Sequence, residues 1–144
     1  MKKSDKPIII EIESKASIST IWEALTQLSL MRQWLFPEIP DFDPVVGFCT
    51  KFDIKTDNRV FKHVWKVKEV EPKSKITVEW SYEGYAGRGD VIYQIIDRPD
   101  KARLFRLTNT VLEDFDDSIP EFKRQSAEAG WNYLIRHRLN AVLI

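Results

Sequence analysis

Cysteine is nearly absent from this chain. Cys49 stands alone, so no internal disulfide can form and a reducing compartment is expected. Histidine is almost as scarce: His63 and His137 lie far apart, and with one cysteine they give no metal-ligand spacing. An excess of one charge is missing too, because 22 Lys and Arg balance 22 Asp and Glu. That balance argues against a nucleic-acid or polyanion partner. No segment approaches the roughly 18 consecutive apolar residues of a membrane span. The run Ile8–Ile10 is also too short for a signal-peptide core, so a cytoplasmic protein is expected. Repeats and low-complexity tracts are absent, and 144 residues suit one domain over 1–144.

What the chain does have is apolar periodicity. Trp131, Leu134, Ile135, Leu139, Val142 and Leu143 recur at three- and four-residue spacing and share one helical face. Arg124, Glu128, Asn132, Arg136 and Asn140 step by four along the opposite, polar face. The spacing predicts one long helix over Ser118–Ile144, opened by a capping box of Ser118 and Glu121. Gly130 inside it is expected to let the helix lie close to its partner surface.

Ahead of that helix the period is two. Ile8, Ile10 and Ile12 alternate with Glu11 and Glu13 as a first strand. Ser17 is an N-cap for an amphipathic helix through Ile21, Trp22, Leu25 and Leu28, and Met31–Phe36 forms a second, stopped by Pro37. Pro37–Pro44 reads as a loop. Five strands follow, with rows Phe48-Thr50-Phe52-Ile54, Phe61-His63-Trp65-Val67 and Ile76-Val78-Trp80-Tyr82, then Val91–Ile96 and Leu104–Leu112. Their short connections imply antiparallel neighbours. One helix covers six strands only if the sheet is strongly curved around it, an α+β arrangement that tends to leave a cavity.

Several local patterns carry a resemblance. Ala16-Ser17, Ile21-Trp22-Glu23-Ala24-Leu25-Thr26, Trp34, Gly47 before an aromatic strand, Val67–Pro72, Val78-Glu79-Trp80 and Gly130-Trp131 with Leu134 follow one another in order. Together they resemble the START-like (SRPBCC) superfamily with its helix-grip fold, closest to the family of the Hsp90 ATPase activator. The acidic segment Glu113–Ser118 matches no signature of that family. Lipid binders, cyclases and co-chaperone domains share the scaffold, so the resemblance implies a fold more than a task.

Few side chains are candidates for chemistry. His63 lies in an inward row between Phe61 and Trp65, as either a polar ligand contact or a satisfied histidine at the sheet rim. His137, between two arginines, reads as helix surface. Cys49 has no neighbouring base to make it a nucleophile. Gly84-Tyr85-Ala86-Gly87-Arg88-Gly89 has no helix after it to bind phosphate and reads as a flexible loop at the pocket mouth. The carboxylates of Glu113–Asp117 lack calcium-loop spacing and read as a solvated loop favouring the helix N-terminus. Asn109 and Thr50 interrupt inward rows.

The expectation is a binding domain for a small apolar, lipid-like molecule, with no catalysis, metal or cofactor. Its walls are Phe48, Trp65, Trp80, Tyr82 and Trp131, and its polar contacts His63 and Asn109. A cavity on the order of several hundred cubic ångströms would mark that function. The alternatives are a chaperone-related interaction module, marked by a large exposed apolar patch, and a cyclase-type enzyme needing convergent acid–base groups.

Overall fold

The computed structural model describes residues 1–144. The first strand, β1 (Ile8–Ser14), keeps the expected alternation, with Ile8, Ile10 and Ile12 buried. Ser17 caps α1 (Ile18–Thr26) by accepting a hydrogen bond from the Thr20 amide at 3.1 Å. A second helix, α2 (Leu28–Trp34), begins three residues earlier than the spacing predicts and ends before Phe36. Its last residue is anchored: Trp34 donates its indole N–H to the Ala24 carbonyl at 2.7 Å.

Five strands then form an antiparallel meander: β2 (Cys49–Lys55), β3 (Val60–Glu71), β4 (Lys75–Tyr82), β5 (Arg88–Ile96) and β6 (Arg103–Glu113). With β1 beside β6, the sheet order is β1-β6-β5-β4-β3-β2. Register shifts at Val67/Glu69 and Arg88/Gly89 are bulges, which bend and coil the sheet. The rows anticipated from alternation all point inward: Phe52, Phe61, Trp65, Val67, Ile76, Val78 and Trp80 are buried. The fold is the α+β helix grip.

The long helix starts later than its sequence suggests. Ser118 does not cap it; its hydroxyl and amide both bond the Asp116 carboxylate. Pro120–Phe122 form a separate 3-10 turn, and α3 (Arg124–Asn132) opens at Lys123 without a side-chain cap. The break falls at Lys123, whose extended backbone (φ −74°, ψ 146°) separates the 3-10 turn from α3. The helix continues as a π-helical stretch over Tyr133–Leu139 and a last α turn, Asn140–Val142. Trp131, Ile135, Leu139 and Leu143 are its buried stripe. Its polar stripe is linked side chain to side chain: Arg124 donates to Glu128 at 2.6 Å, and Arg136 to Asn132 at 3.0 Å. Gly130 is exposed, and a Cβ built on it would meet nothing within 4 Å, so close approach is not its role.

Candidate functional site

Strand pairing decides which side chains meet beneath the helix. His63 on β3 is paired with Tyr82 on β4, and Trp65 with Trp80 one step along. Opposite them the helix presents Ala127, Gly130, Trp131 and Leu134. Trp131 packs on Trp80 with ring centroids 5.1 Å apart. Phe36, just beyond α2, closes the third side at 5.4 Å from His63 and 6.1 Å from Trp80. Between these groups lies a cavity of about 150 Å³, with Asn109 of β6 in its lining and Met1, Glu121 and Phe122 at its rim.

Five of the seven expected site residues line this space: His63, Trp80, Tyr82, Asn109 and Trp131. Trp65 and Phe48 do not. Trp65 sits deeper, stacked on Trp80 at 4.9 Å and edge-on to Phe52 at 4.8 Å, as core. Phe48 packs against Phe42 at 5.9 Å. The reason lies in the Pro37–Pro44 segment, whose Ile39 and Phe42 are buried and occupy the end of the sheet that the sequence reading left open. The expected pocket is therefore partly filled by its own loop, and about 150 Å³ remains open beside the helix. Wider depressions exist, one of about 550 Å³ among Lys2, Asp5, Asp117, Lys123 and Arg124. Met1 is the single apolar residue of that lining, so it lacks the walls of a ligand site.

His63 is the polar centre of the cavity. It is 6% exposed, stacked on Phe52 at 5.2 Å and edge-on to Tyr82 at 4.7 Å. Its Nδ1 lies 3.3 Å from the Phe61 carbonyl, its one protein hydrogen bond. Burial lowers its pKa to about 4, since desolvation among aromatic rings disfavours the imidazolium. The imidazole is neutral at pH 7. Burial also pushes the Tyr82 phenol up to about 12, so it stays protonated. Trp65 and Trp80 each leave a buried indole N–H with no acceptor.

The rim is held by two sets of contacts. Glu121 accepts from Thr56 at 2.9 Å and from Arg59 at 3.0 Å, tying the β2–β3 turn to the 3-10 segment. The Met1 amino group donates to Asp117 and to the Phe122 carbonyl, each at 2.8 Å, and the Phe115 amide donates back to the Met1 carbonyl. The acidic segment is thus occupied locally, with Asp114 accepting from the Lys3 amide and Asp116 from Ser118. The glycine-rich stretch is the β4–β5 turn, seated by packing: Gly87 has φ +108°, and a Cβ there would fall 2.9 Å from the Phe115 Cα.

Sequence comparison agrees with the architecture. A profile of the Activator of Hsp90 ATPase homolog 1-like proteins matches residues 15–143. The chain belongs to that family. With it goes the START-like superfamily that the local patterns resembled. No curated protein sequence matches the chain significantly. Among solved structures, MLL2253 from Mesorhizobium loti is 23% identical with a TM-score of 0.71, covering 96% of each chain. The Aha1 dimer from Colwellia psychrerythraea is 18% identical at 0.69, covering 97% of this chain and 98% of that one. DynU16, from the dynemicin biosynthetic locus, is 21% identical at 0.73; the chain covers 96% of itself and 47% of that protein. These similarities establish a shared fold.

Sequence reasoning missed Phe36, Phe122, Ala127 and Leu134 as lining residues. Ala127 and Leu134 were within reach, four residues before and three after Trp131 on the same helical face. Phe36 lies just beyond α2 and Phe122 ends the short 3-10 turn before α3, so neither belongs to a helical period long enough to read.

Proposed function

We propose that this domain binds one small, largely apolar molecule in the cavity between β3, β4 and the C-terminal helix, and performs no chemistry on it. The observation that carries this reading is the lining, five aromatic rings around about 150 Å³ with only a few polar atoms. Apolar walls with isolated polar groups are the usual make-up of a ligand site. A reaction would need an acid and a base converging on one point. His63 is a weak base with its pKa lowered to about 4, Tyr82 stays protonated, and the Glu121 carboxylate is engaged by Thr56 and Arg59. The volume suits a single ring; an apolar cavity of about 150 Å³ is known to hold benzene.

A chaperone-directed interaction module is suggested by the family name alone. The large exposed apolar side chains, Ile9, Val45, Val46, Val60, Tyr133 and Ile144, are spread over β1, the loop before β2, β3, the helix and its end, and only Val45 and Val46 are neighbours in sequence. Spread in this way, such residues are ordinary surface.

Toluene is the direct probe. Titration should saturate, shifting the fluorescence of Trp80 and Trp131 and raising the melting temperature, as any ligand of the native state does. A signal that rises linearly without saturation, with unchanged melting, would reject the cavity as a binding site.

A further inference from the structure

The cavity's polar atoms select among apolar ligands. A backbone carbonyl can only accept, so the contact between His63 Nδ1 and the Phe61 oxygen requires the proton on Nδ1. The neutral ring then carries its lone pair on Nε2. No protein group donates to that nitrogen. It is not among the fully buried unpaired atoms, so on a lining residue it opens on the free space of the cavity. The side-chain polar groups of Tyr82 and Asn109, two more lining residues, stand in the same position. An acceptor that opens on the cavity is within reach of a ligand, and a ligand that brings a donor replaces the water there without losing a hydrogen bond.

Resting on the binding reading above, we propose that the ligand is a single-ring phenol, its hydroxyl donating to Nε2 of His63 and its ring packed among Phe36, Trp80 and Trp131. The volume admits one aromatic ring and little else. Aromatic walls favour an aromatic guest through edge and stacked contacts. A phenolic hydroxyl both donates and accepts, so its oxygen can also take a hydrogen bond from Tyr82 or Asn109. A carboxylate finds no free cation among the lining residues: the Met1 ammonium is already held by Asp117 and the Phe122 carbonyl, and Glu121 is itself acidic. An ammonium group would lose part of its hydration against the apolar walls, and both Glu121 oxygens are already engaged.

Phenol and toluene have nearly one shape and differ in the donor, so their affinity ratio isolates the hydrogen bond. At pH 7 in the wild-type domain both should bind. In His63→Phe toluene binding should persist, while phenol relative to toluene falls about five- to tenfold, the size of one buried neutral hydrogen bond. Because that variant also changes the wall, the wild-type imidazole is read directly. Phenol should move the ¹⁵N resonance of His63 Nε2 toward the hydrogen-bonded value, and toluene should leave it in place. If neither compound binds, the binding reading itself falls. If toluene binds but phenol leaves the Nε2 resonance unmoved, the cavity stands and the phenol assignment is overturned. Benzoate or benzylamine binding more tightly than phenol would overturn it equally.

Discussion

The two ends of the C-terminal helix meet the same sheet and do opposite things. Toward Leu143 the helix is sealed, with Ile135 and Leu139 fully buried. Toward Arg124 it carries Ala127 and Gly130 over the sheet, and the space their missing side chains leave is the cavity. Sheet curvature is common to both ends, and so is the aromatic or branched wall beneath. Side-chain volume on one helix face is therefore what separates core from pocket. Trp131 stands at the boundary, packed on Trp80 and, at 6.5 Å, on Tyr93.

Trp131→Ala is the harshest test, since it removes the divider. A cost of about 3–5 kcal/mol is expected, the range for truncating a buried large aromatic. A denaturation midpoint left unmoved would put the helix outside the core.

The next test sets the ends against each other. Leu139→Ala should cost about 2–5 kcal/mol, while Leu134→Ala, cut from a wall already facing empty space, should cost less than about half as much. Equal losses in urea unfolding would erase the distinction between the ends.

Acid acts on the open end through His63. Its unfolded value of 6.5 exceeds its folded value of about 4, so between them the unfolded chain binds more protons and stability rises with pH. The contribution is complete above pH 6.5 and is lost as pH falls through about 4, a total near 3 kcal/mol at most. His63→Phe should flatten that part of the curve, and an unchanged slope would assign it to other groups.

The mildest change is Gly130→Ala. With open space around its Cβ, the variant should gain up to about 1 kcal/mol from helix propensity. A loss measured by thermal unfolding would mean that the helix presses on the sheet there after all.

Most of the architecture was legible because one-sided burial imposes a period on the sequence. The alternation of β3 and β4 is enough to put His63, Trp80 and Tyr82 on the inner face, where the structure has them. Two things were not legible. Burial of Ile39 and Phe42 depends on where an irregular segment folds, and Pro37–Pro44 has no period to reveal it. The start of the long helix was misjudged because Ser118 with Glu121 has the spacing of a capping box, while Asp116 competes for the same serine and Glu121 turns to Arg59. The capping signal loses its serine to a more local partner two residues away and its glutamate to a distant one.

The π-helical stretch has a consequence for how this chain can change length. An α-helix turns about 100° per residue, so a stripe stepping by four drifts about 40° at each step. The wider π turn drifts the other way. Inserted between two α segments, it keeps Trp131, Ile135, Leu139 and Leu143 in line, along with the polar series from Arg124 to Asn140. A one-residue deletion within Tyr133–Leu139 would let the segment relax to regular α geometry, and the extra turn gained by each remaining residue would make up most of the rotation lost with the deleted one. The residues after it, Leu143 among them, would keep facing the sheet. The same deletion in the α segment before it has no such slack and would rotate everything that follows by about a quarter turn.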